Sequence, residues 1–145
     1  MKQREIQERN KQIALMLGWK EATLEYKLRW CAVPTEERLN RLDQDHVPIL
    51  MKENKDPLWS SSLLWHSDWN WLMEAVEFIE KLQSDNFIMD FFWLNGSNVA
   101  LYQKDKQRGL ILWETHGRFK NVETKKEAVF IIVSDFAKLY NEKKL

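Results

Sequence analysis

The stretch from residue 87 to residue 116 constrains the fold more than any other part of the chain. It holds three short apolar runs, Phe-Ile-Met-Asp-Phe-Phe-Trp-Leu at 87–94, Val-Ala-Leu-Tyr-Gln at 99–103 and Leu-Ile-Leu-Trp-Glu-Thr-His at 110–116. Runs of this length, rich in aromatic and branched residues and bounded by turn formers, read as strands. The first two flank Asn95–Gly96, a dipeptide that favours a two-residue hairpin turn because both of its positions tolerate positive φ. That turn sets Phe92 opposite Val99 and Asp90 opposite Leu101. A polar loop ending at Gly109 leads into the third run, which predicts an antiparallel meander of at least three strands. The runs alternate poorly. Phe87, Met89, Phe91 and Trp93 lie on one side, with Ile88, Phe92 and Leu94 on the other; Leu110 and Leu112 oppose Ile111 and Trp113. A sheet apolar on both faces needs a cover on both. The expectation is an α/β chain of α+β topology, a three-layer α/β/α sandwich with helices on both faces of the central sheet.

The helices to supply those layers are readable. Residues 4–17 place Ile6, Ile13 and Leu17 on one face at helical spacing. Gly18 follows as the left-handed C′ residue, with Trp19 where a Schellman motif puts its apolar contact. Residues 67–83 begin at Ser67, a good N-cap, with Asp68 favoured at the positive end of the helix dipole. Trp71, Leu72, Ala75, Val76, Phe78, Ile79 and Leu82 form a wide apolar stripe, and Glu77–Lys81 is a favourable i,i+4 pair. Residues 123–142 carry a capping box at Thr124 and Glu127. Ala128, Val129, Ile132, Val133, Phe136, Leu139 and Tyr140 make the buried arc of that helix. Phe130 and Ile131 fall at its edge, free to meet another part of the chain or a second subunit. Elsewhere, residues 24–31 alternate with period two and read as a strand, residues 34–42 as a short helix, and residues 43–62 as loop with a short strand at 47–51.

At 145 residues with no linker-like tract, one domain spanning 1–145 is expected. Lys+Arg and Asp+Glu both number 22, so no global positive field exists to recruit nucleic acid. The single cysteine, Cys31, forms no intramolecular disulfide. The opening residues lack the apolar core of a signal peptide, and no stretch approaches the ~20 apolar residues of a membrane span. These features fit a cytoplasmic protein without a membrane partner.

No catalytic motif is present: no P-loop, no G-x-G-x-x-G, no G-x-S-x-G, no H-E-x-x-H and no C-x-x-C. His46, His66, His116, Cys31, Asp68 and Glu114 are the ligand-type residues, and their spacings match none of the usual metal sites. No metal and no cofactor is expected. Eight tryptophans stand out, four of them between Trp59 and Trp71. Most such rings fill cores. The segment Trp59, Trp65, His66, Ser67, Asp68 and Trp69 is nonetheless the densest aromatic and hydroxyl-bearing stretch, and a helix starting at Ser67 offers backbone N–H groups to an anion. Asp90 interrupts an apolar strand. As a buried carboxylate it needs a partner; it reads first as half of a structural salt bridge or as a residue at the open end of the sheet, and alternatively as an acid or base with Glu114 or His116.

Three stretches together, "LGWK" at 17–20, "HSDWNWLMEAVEFIE" at 66–80 and "TKKEAVFIIVSDFAKLYNE" at 124–142, resemble a family of small proteins from phages and mobile elements of Bacteroidota, the phage ABA-sandwich domain proteins. The resemblance implies the same α/β/α layering and a place in the cytoplasm of an infected or lysogenic bacterium. It implies no established reaction. Residues 33–58 look like an insertion relative to that family, and surface insertions often carry the specific function. The leading expectation is a non-enzymatic accessory protein that binds a host protein, in counter-defence, through the Trp-rich segment and the insertion. A second reading is a sponge for a small nucleotide ligand, stacked on Trp59 or Trp65 near Arg29, Lys55 or Arg118. A third is a small metal-dependent hydrolase or nuclease using Asp90, Glu114 and His116. The surplus of tryptophan, with Phe130 and Ile131 off the main arc, points to a homo-oligomer.

Overall fold

The computed structural model describes residues 1–23, 50–58, 62–82, 87–93, 99–108, 111–116 and 124–143. The strand expected at 24–31, the helix expected at 34–42, Trp59 and the Asn95–Gly96 turn lie outside these residues. The fold is a mixture of α and β, with three helices among the described residues: α1 (Gln3–Met16), α2 (Trp69–Glu80) and α3 (Lys125–Lys143). None is long and apolar enough to cross a membrane. The strands are β1 (Lys20–Glu21), β2 (Leu50–Met51), β3 (Phe87–Trp93), β4 (Val99–Asp105) and β5 (Ile111–His116). The chain divides into two compact units, Met1–Leu63 and Leu64–Leu145.

In the first unit α1 ends as its sequence dictates. Gly18 takes φ 95°, its N–H donates to the Leu15 carbonyl at 3.2 Å, and the Trp19 N–H donates to Ala14 at 3.0 Å. These two bonds define a Schellman motif. Lys52 completes the cap. Its Nζ donates to the Leu17 carbonyl at 2.9 Å and lies 5.9 Å from the Trp19 ring centre. A cation there suits the negative end of the helix dipole. The loop bearing Lys52 is itself pinned. Leu50, fully buried, exchanges backbone hydrogen bonds with Leu58, and Asn54 takes the left-handed conformation in the turn between them. β2 pairs antiparallel with β1, Lys20 opposite Met51. β1 went unforeseen, because a two-residue strand has no period to read. Asn10, buried on α1, donates from Nδ2 to the Leu63 carbonyl at 3.3 Å.

In the second unit β3, β4 and β5 pair antiparallel in that order. The register corrects the sequence expectation by one residue. Trp93 pairs with Val99, Phe92 with Ala100 and Asp90 with Tyr102, not Leu101. A one-residue slip exchanges the faces of a strand. Asp90 therefore shares its side with Tyr102 and Lys104 rather than with Val99 and Leu101. β5 pairs with β4 from Ala100 opposite His116 to Gln103 opposite Trp113, and then shifts so that Lys104 faces Ile111. Successive residues of a strand point to opposite faces. Val99, Ala100 and Leu101 are all buried, so both faces of the sheet are covered at this end of β4, whereas Tyr102 to Asp105 are half-buried.

α2 packs against β3 and against α3, and α3 against β4. α3 is buried continuously from Ala128 through Ser134. At about 100° per residue those positions cover the whole circumference, which is the pattern of a helix enclosed on all sides. Of the two expectations for Phe130 and Ile131, burial within the chain is the one met. Both are interior, and neither offers a surface to a second subunit. The polar residue in this run is satisfied locally, the Ser134 hydroxyl donating to the Ile131 carbonyl at 2.9 Å. Thr124 caps α3, its Oγ1 accepting from the Glu127 N–H at 3.2 Å.

The start of α2 shifts by one residue from expectation. Asp68, not Ser67, is the N-cap, extended at φ −113° and ψ 118°. Its Oδ1 accepts from the Asn70 N–H at 2.8 Å and the Trp71 N–H at 3.4 Å. Ser67 belongs to the preceding turn, where its N–H and that of Asp68 both donate to the Leu64 carbonyl. Asp68→Ala is therefore expected to lower stability by about 1 kcal/mol in urea denaturation. Ser67→Ala should cost much less, and equal losses would mean that the cap is misassigned. Glu77 and Lys81, the expected i,i+4 pair, form no ion pair among the described residues.

Candidate functional site

The turn at residues 64–68 and the first turn of α2 gather most of the described candidate residues. Trp65 points inward. It is 2% exposed and meets Trp71 edge-on, ring centres 4.7 Å apart at 75°. Its indole Nε1–H is buried with no hydrogen-bond partner among the described residues. A donor left so costs about 1–3 kcal/mol, which the buried area of the ring must offset. His66 is half-buried, its ring 6.1 Å from that of Phe130 on α3. Ser67 is exposed and its carbonyl accepts from Lys126 Nζ at 3.0 Å. The turn is thus tied to α3 by an aromatic contact and a charged hydrogen bond.

Trp69 lies on the outside of this anchored turn. It is 40% exposed, and Leu64 is 37% exposed. Apart from Met1, these are the large apolar side chains left in solvent among the described residues. Met73, one helical turn beyond Trp69, is half-buried. Sequence reasoning singled out Trp69 but missed Leu64, since two adjacent leucines give no hint of which one faces out. Trp69 follows Trp65 by four positions, and their environments are opposite: Trp65 is core and Trp69 is surface.

The helix N-terminus does not present the expected anion site. The N–H groups of Asn70 and Trp71 are held by the Asp68 carboxylate. A phosphate approaching there would meet a negative charge in place of free donors.

Asp90 and His116 lie on the sheet, on β3 and β5, and pair with different residues of β4. Asp90 Oδ2 lies 3.8 Å from Lys104 Nζ, and Lys104 Nζ lies 5.7 Å from the Tyr102 ring centre. Tyr102 is paired in register with Asp90 on one side and Glu114 on the other, and His116 is paired with Ala100. Asp90 is ion-paired, in keeping with the reading of a structural salt bridge, and partly exposed rather than sunk in an apolar strand. Lys104 went unnoticed because the strand was expected to end at Gln103, whereas β4 runs on to Asp105. Among the described residues no three His, Cys, Asp or Glu side chains come together as a metal site. Trp59 lies outside the described residues. Comparison with protein-family models, with curated proteins and with solved structures found no match.

Proposed function

We propose that this chain is a binding protein that acts without catalysis, an accessory protein of a phage or mobile element that engages a bacterial host protein in the cytoplasm through the outer face of α2. One observation carries the reading: Trp69, a residue type enriched at binding hot spots, stands exposed on a turn that Asp68, Lys126 and the His66–Phe130 contact hold in place. A rigid aromatic anchor loses little freedom on binding. The proposal includes the layered sandwich, helices on both faces of the sheet, and the burial of three successive residues on β4 supports it.

The nucleotide-sequestering reading has less support. Trp65 has no open ring face for a base, and the α2 N-terminus is already capped by a carboxylate. The hydrolase reading loses its motive, since Asp90 is half-exposed beside Lys104 rather than an unpaired buried acid.

The test is co-purification from a Bacteroidota host of tagged wild type, Trp69→Ala and Asp90→Asn. A stoichiometric protein partner kept by wild type and Asp90→Asn, and lost from Trp69→Ala, is the expected outcome. Retention by Trp69→Ala, or loss from Asp90→Asn alone, would overturn it.

A further inference from the structure

The charge on α2 names the chemistry of the partner. Within Trp69–Glu80 the charged residues are Glu74, Glu77 and Glu80, all exposed, and no basic residue falls in the helix. Two of the three lie in its last turn, where the helix dipole disfavours negative charge. Glu74 and Glu77 form no ion pair among the described residues. The following Lys81 caps the helix without reaching either of them. At about 100° per residue, Trp69, Met73, Glu77 and Glu80 share one flank of the helix, with Glu74 next to it. An exposed helix face therefore combines an apolar anchor with the negative charges of Glu74 and Glu77, on a chain whose net charge is zero.

We propose that this face docks a basic amphipathic segment of a partner protein, an apolar side chain seated against Trp69 and Met73 and lysines or arginines over Glu74 and Glu77. The proposal rests on the reading of α2 as the contact surface and adds the chemistry of what binds there. Acidic and apolar groups side by side complement such a segment, and complementary charge steers association and selects partners. They repel nucleic acid.

The probe is a synthetic amphipathic Lys/Leu peptide, with Gln/Leu and Glu/Leu peptides of the same pattern, titrated into the full chain by fluorescence anisotropy. The Lys/Leu peptide is expected to bind the most tightly, and less so as salt rises. Glu74→Gln/Glu77→Gln should weaken it about fivefold, the scale of two exposed charges, and Trp69→Ala about thirtyfold, as for a hot-spot residue. Glu53→Gln/Asp56→Asn, the same change of charge at exposed positions of the first unit, should stay within about twofold. Binding of the Gln/Leu or Glu/Leu peptide as tightly as Lys/Leu, or equal losses from the two double variants, would overturn the proposal. If these peptides fail while a host protein still co-purifies through Trp69, the contact surface stands and its basic partner does not.

Discussion

Trp65→Ala is expected to destabilise the chain by about 3–5 kcal/mol, a large share of the stability of a domain this size. The ring is 2% exposed and packs on Trp71 at the start of α2. Removing it takes away the transfer energy of an indole and leaves a cavity that the capped turn is poorly placed to close. Part of the loss is returned, because the unpartnered Nε1–H leaves with the ring. Trp69→Ala, four residues on, should change stability by no more than about 0.5 kcal/mol. Chemical denaturation of the two variants reads this contrast directly. Similar losses would mean that Trp69 is held in the core and is no binding residue.

Phe130→Ala is the second large effect, again about 3–5 kcal/mol. Phe130 is 1% exposed in the part of α3 that is buried on all sides, and its ring faces His66. Had Phe130 served a subunit contact, its loss would lower the molecular mass in solution and spare the unfolding midpoint. The expected result is the reverse, a lowered midpoint at unchanged mass, read by denaturation and by light scattering on the same sample.

The parts of the fold with strong local signals were readable from the sequence. Gly18 after an amphipathic stretch announced the end of α1, and Thr124 with Glu127 announced the start of α3. The start of α2 was placed one residue early because Ser67 and Asp68 are both good caps, and only the turn geometry at Leu64 chooses between them. The hairpin register failed for a related reason. The register was read from Asn95–Gly96 alone, whereas Trp93 pairs with Val99, and one residue of slip moves Asp90 from an apolar neighbourhood to Lys104. The α3 arc failed because a period-based reading assumes a single buried side. Of the candidate site, the sequence singled out the segment that carries Trp69. It could not separate Trp65 from Trp69, since burial of one tryptophan and exposure of another depend on the direction of a turn that no local pattern records.

The most direct test of the central claim, that the outer face of α2 at Trp69 is where a partner binds, is site-specific photo-crosslinking. A photoreactive phenylalanine analogue is placed at position 69, and separately at position 107 on the exposed turn after β4, and the protein is irradiated inside the bacterial host. One host protein is expected to crosslink from position 69 and to be absent from position 107. The same products from both positions, or none from position 69, would contradict it.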